Sequence, residues 1–149
     1  MEIKLNRYIE SKFYEFTQRK LKRDTKKVRD LKKEYDHTCQ ICGEPVIMFG
    51  CKEKGIFYSE VCHIIPHSKN GLDDFPNMLV LCPNHHIIFD MGIISIDPDD
   101  PELKTIKHID TNSSLNNSKL KISKHYLSRE FVKYHYENVH NSLIKELFS

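Results

Sequence analysis

The chain has 149 residues, 39% of them hydrophobic and 30% charged, with a formal net charge of +2. That length suits one compact core with extensions, and the composition is that of an ordinary soluble protein. No apolar run approaches the roughly 20 residues of a membrane span, and no signal-peptide core opens the sequence. The five cysteines are an odd number for a disulfide framework. The expectation is therefore a cytoplasmic protein in a reducing compartment, where clustered Cys and His point to metal.

Residues 1–36 contain neither Gly nor Pro, and Leu5, Ile9, Phe13 and Phe16 recur at helical spacing. This predicts a helical N-terminal extension, with a break near Thr17 or Asp24 allowed by the thinning apolar stripe. Between Thr17 and Lys33 lie nine basic residues against Asp24 and Asp30, so the charge of the chain is concentrated here. Arg19, Lys20, Lys22, Arg23, Lys26, Lys27 and Arg29 are candidates for a nucleic-acid-binding face. A solvated helix surface would look the same.

From His37 to Pro98 short β-like runs alternate with turn residues. Val46–Phe49 and Ile56–Ser59 are expected as hairpin strands, with Cys51 in their turn. Val61–Ile65 and Met78–Leu81 are further strand candidates, separated by the turn signal Lys69-Asn70-Gly71. Pro83 suits the first position of a helix over Asn84–Asp90, with Gly92 placed to end it. Ile93–Ile96 is a strand stub. Residues 99–149 read as a loop followed by a helical extension, with Phe131, Tyr134, His135, Val139, Leu143 and Leu147 at helical spacing over Ser128–Phe148. His67 reads as a loop side chain; His108, His125, His135 and His140 follow no ligand spacing and read as surface or interface residues.

Cys39-Gln40-Ile41-Cys42 is a Cys-x2-Cys knuckle and Cys82-Pro83-Asn84-His85 a Cys-x2-His knuckle. Two such pairs supply the four soft ligands of a tetrahedral structural zinc site, each chelating from one tight turn. Buried free thiols are the bland alternative. His86 and Asp90 are four residues apart, so on a helix they share a face and can reach one cation. His85, one step round, would point to the zinc instead.

Tyr58 to Pro66, Asn77 to His86, and Phe89-Asp90 together resemble the HNH, or ββα-metal, endonucleases, in their zinc-stapled restriction-type branch. The resemblance covers roughly residues 26–97. It implies an α+β fold with a ββα-metal core, structural zinc, and flanking N- and C-terminal helices. It also implies His63 as general base, Asn77 as the residue pinning the loop against that base, and His86 as a metal ligand. A neutral His suits water activation near neutral pH, and a hard divalent cation suits charge relief on the phosphate. The expected activity is metal-dependent DNA cleavage, leaving 5′-phosphate and 3′-hydroxyl ends, in restriction, phage defence or a mobile element. Mg²⁺ or Mn²⁺ is the expected catalytic ion, with Ni²⁺ or Co²⁺ as alternatives. So small a core cannot read a long site alone, which leaves specificity to the extensions, a homodimer or another subunit. A zinc-dependent nucleic-acid-binding module without catalysis is the competing reading, and it would need no His63.

One position departs from the family pattern. Cys62 stands directly before the base, where His or Asp is common. Neighbours on a strand face opposite ways, so Cys62 and His63 share a site only if the strand bends or bulges. Cys62 is then either a buried thiol, which a hard-cation site favours, or a soft ligand shifting metal preference away from Mg²⁺.

Overall fold

The computed structural model describes residues 24–45 and 58–149, together with residues 4, 7–12, 14, 15 and 19. Lys20, Lys22 and Arg23 lie outside the described residues, as do Cys51 and nearly all of the expected hairpin over 46–59.

The described positions before residue 20 are helical, but Asp24 and Thr25 are not, so the helix expected over 1–36 is broken there. Helix α1 runs Lys26–Glu34, capped by the Thr25 side chain, which accepts from the Val28 N–H. Its basic face is less free than the sequence suggests. Lys32 is buried with its ammonium 2.5 Å from Asp24, Lys27 pairs with Asp74, and Arg29 donates to the Asp24 carbonyl. Lys26 stays open to solvent beside Asp30, and Arg19 is exposed.

Strands β1 (Glu60–His63) and β2 (Met78–Leu81) pair antiparallel, with Cys62 opposite Leu79 and His63 opposite Met78. The run Met-Leu-Val-Leu has no polar face because both of its faces are covered. Met78 and Val80 meet Val28, Leu31 and Tyr35 on one side. Leu79 and Leu81 join Cys62, Ile64 and Phe89 in the main core on the other. Helix α2 (Pro83–Asp90) follows β2 directly and starts on a proline. Gly92, with φ at +84°, ends it where a Cβ would sit 2.7 Å from the Val139 carbonyl. This β1–β2–α2 unit is the ββα core.

The knuckle between α1 and β1 is tied to the sheet by Gln40. Its backbone N–H donates to Val80 O, and its side-chain oxygen accepts from Val80 N at 2.9 Å.

A second antiparallel pair, β3 (Ile94–Ile96) with β4 (Ile106–His108), extends the main core. The sequence reading found β3 and missed β4. Helix α3 (Arg129–His135) passes through a π-helical turn, Tyr136–His140, into α4 (Asn141–Phe148), so the expected C-terminal helix is present but locally widened. His135 and His140 are buried, not superficial: their rings bond Phe89 O and Gly92 O at 2.9 and 2.8 Å, docking this helix on the end of α2. His125 likewise bonds the Met78 carbonyl at 2.8 Å. No described helix is long and apolar enough to cross a membrane.

Candidate active site

Helix α2 carries two adjacent histidines about 100° apart around its axis, and they serve different clusters. His85 Nδ1 lies 3.5 Å from Cys39 Sγ and 3.2 Å from Cys82 Sγ. With Cys42, the donor atoms of these four residues all lie within 4.8 Å of one another. Burial, and then the nearby Cys39 and Cys42 sulfurs, push the Cys82 thiol up to about 11 against the opposing pull of the His85 backbone N–H. Three crowded sulfurs need a counter-charge to ionise, and a thiophilic dication at their centre supplies it. The donor set therefore fits zinc.

His86 turns the other way, toward β1. Its Nε2 lies 3.1 Å from Asp90 on the next turn, and its Nδ1 lies 2.6 Å from Glu60. Hydrogen bonds to Asp90 and then Glu60 hold this imidazole up to about 9, against its burial. Cys62 is fully buried with Sγ 3.5 Å from Asp90 Oδ1, and Cys62, His86 and Asp90 form a second cluster with donor atoms within 4.8 Å. Burial, then the Asp90 charge, hold that thiol well above its ordinary value. The strand needs no bulge to achieve this: Glu60 and Cys62 share the face toward α2, while Val61 and His63 take the opposite one.

His63 therefore points away from Cys62, yet both His63 and His86 border one cleft of about 210 Å3. Glu60, Asp73, His67 and the start of α1 form its remaining walls. His63 Nε2 lies 2.6 Å from Asp73 Oδ1, which His67 Nε2 also approaches at 3.0 Å. Burial alone would raise the Asp73 carboxyl, but hydrogen bonds from His63 and Thr25 leave it below its ordinary value.

The loop that carries Asp73 is pinned by Asn77, which is completely buried. Its side-chain oxygen accepts from Ile65 N at 2.8 Å, and its amide donates to Ile65 O and Leu72 O at 3.0 Å each. Gly71 packs so tightly on the bend that follows β1 that a Cβ would lie 1.6 Å from Ile65 O.

Residues 39–97 match the family model described as HNH endonuclease. The segment is similar to HNH endonuclease domains. A solved structure titled as a modification dependent TagI restriction endonuclease shares the fold, with a TM-score of 0.61 and 28% identity. The likeness covers 78% of this chain but 38% of that one, so the chain spans well under half the length of that protein. No curated protein matches the chain.

Within this HNH-like segment, sequence reasoning missed Glu60 and Asp73. Glu60 was accessible, since it shares its strand face with Cys62 two residues on. Asp73 carries no local signal, because the fold of its loop alone brings it to His63.

Proposed function

We propose that this protein is a metal-dependent endonuclease hydrolysing DNA phosphodiesters, with His63 as general base and one divalent cation held by His86 and Asp90. The observation carrying this reading is that His63 and His86 border the same cleft within an HNH-like segment. His63 removes a proton from water as the oxygen attacks phosphorus. The P–O3′ bond then breaks, leaving a 5′-phosphate and a 3′-hydroxyl that takes its proton from solvent. A bound Mg²⁺, Mn²⁺, Ni²⁺ or Co²⁺ supplies charge neutralisation at the phosphate and the leaving oxygen. Glu60 accepts from His86 Nδ1–H, which leaves Nε2, beside Asp90, as the nitrogen that would ligate a cation once its proton is displaced. Cys62, buried and next to Asp90, serves as a protonated thiol lining that site rather than as a ligand. The Cys39–Cys42–Cys82–His85 cluster holds structural zinc and takes no part in the chemistry.

DNA is the partner this assigns, approached over the start of α1, where Lys26 and Arg19 are among the exposed cations of the described basic residues. Roles in restriction or phage defence, in the cytoplasm, and cleavage of both strands by a homodimer belong to the same reading. Target selection then rests with the extensions or a second subunit, and modified DNA belongs among the substrates tested.

The test is plasmid nicking with Mg²⁺, Mn²⁺, Ni²⁺ and Co²⁺, with and without EDTA, by the wild type and His63→Ala. Cleavage that EDTA abolishes, and that His63→Ala slows by about 10²-fold or more with folding intact, is the expected result. Salt-sensitive DNA binding without cleavage under any cation would favour the non-catalytic module instead.

A further inference from the structure

We propose that Asp73 is the positioning residue for His63, fixing the tautomer and aim of the base whose role is proposed above. The 2.6 Å contact to Nε2 makes that nitrogen the N–H donor. Nδ1 is then the nitrogen with the free lone pair, and among the described residues it has no hydrogen-bond partner. A neutral imidazole has two tautomers, and only the one with its lone pair facing the water can accept a proton from it. The carboxylate of Asp73 selects that tautomer and stabilises the imidazolium that forms.

Asp73 is itself rigidly held. It takes a hydrogen bond from Thr25, the residue that caps α1, and a second ring approaches it from His67. Its loop is closed by the buried Asn77 amide and by the Gly71 contact, and its neighbour Asp74 pairs with Lys27. The start of the basic helix is thus joined to the base through a single carboxylate.

The same three residues, His63, His67 and Asp73, also have donor atoms within 4.8 Å, as metal ligands would. Distance separates the two possibilities. Ligands about 2.1 Å from a shared tetrahedral cation lie roughly 3.4 Å apart. The zinc knuckles and the His86–Asp90 pair have contacts of 3.1 to 3.5 Å. The His63–Asp73 contact is 2.6 Å, the length of a charge-assisted hydrogen bond. This third cluster is closed by protons.

The test uses Asp73→Asn, Asp73→Ala, His67→Ala and His63→Ala, and Asp73→Ala combined with His63→Ala, each checked for zinc content and circular dichroism. Single-turnover cleavage at saturating DNA, DNA affinity, and nitrogen-15 NMR of the His63 ring are measured. Both Asp73 variants are expected to slow cleavage about 10–100-fold with unchanged DNA affinity. The His63 ring should lose its fixed Nε2–H tautomer in Asp73→Ala, and Asp73→Ala should cause no further loss when His63 is already Ala. His67→Ala should stay near the wild-type rate. Full activity of both Asp73 variants, with His63→Ala inactive, would overturn the positioning role while sparing the base. An equal further loss in the His63→Ala background would make Asp73 merely structural. Loss in His67→Ala matching that in Asp73→Ala would indicate a bound cation. An active His63→Ala would remove the base assignment and this inference with it.

Discussion

Asn77→Ala should destabilise the protein by about 3 kcal/mol without touching any group that takes part in hydrolysis. The side chain is completely buried and makes three hydrogen bonds, one accepted from Ile65 N and two donated to Ile65 O and Leu72 O. Each is worth roughly 1 kcal/mol net, and an orphaned Ile65 N–H would add to the loss. With a urea m-value near 2 kcal/mol/M, the unfolding midpoint should fall by about 1.5 M at constant slope. Asn77→Asp is the sharper probe. It keeps the acceptor for Ile65 N–H but turns the donating amide into a carboxylate oxygen against two carbonyls. The aspartate variant should therefore be at least as unstable as the alanine variant, and should recover partly when acidified. Urea curves on the zinc-loaded protein decide the matter. An aspartate variant as stable as the wild type would refute the loop-pin reasoning and place Asn77 among the groups that carry charge or metal.

Elemental analysis should find about one zinc per chain, and Cys39→Ser should lose both the metal and the folded core; a folded, zinc-free Cys39→Ser would contradict this. Lys26→Gln should lower the salt slope of DNA binding by about one, equally for all sequences, while Lys32→Gln should leave it unchanged because that ammonium is buried against Asp24. Identical slopes for the two variants would assign the charges of α1 to solvation. Burial holds the His135 ring down to about 4 from an ordinary value of 6.5. The folded protein therefore refuses a proton that the unfolded chain accepts. Stability is full above pH 6.5 and lost as pH falls toward 4, by roughly 3 kcal/mol at most. His135→Gln should show a shallower acid slope than the wild type, and matching slopes would sink the argument.

The parts readable in the sequence are those set by adjacent residues. Pro83 and Gly92 bracket α2, and Met78–Leu81 is a strand because an unbroken apolar run of that length fits a strand buried on both faces. The spacing of the knuckles likewise places Cys39, Cys42, Cys82 and His85 together before any coordinates exist. What escaped depends on distant partners. β4 is held by a neighbouring strand and by Asn116–Ser118, whose groups bond Ile106 and His108 from a polar loop. His135 and His140 read only as surface or interface residues because nothing near them in sequence reveals the carbonyls at the end of α2 that receive them. The basic block suggested a wide solvent-facing or nucleic-acid-binding face, yet Asp24 folds back to bury Lys32. Asp73 sits in a loop whose shape Gly71 and Asn77 decide, so no periodicity could place it beside His63.

Gln40 lies between Cys39 and Cys42 and occupies the outer edge of β2, satisfying both the N–H and the carbonyl of Val80. It fills the place a third strand would take. If the cluster holds zinc, chelation would free this turn and bare the edge of a four-residue strand, Met-Leu-Val-Leu, with no charge along it. Such an edge is a template for pairing with another chain. Metal loss should therefore end in aggregation rather than in a soluble unfolded chain, and the knuckle protects solubility as much as shape.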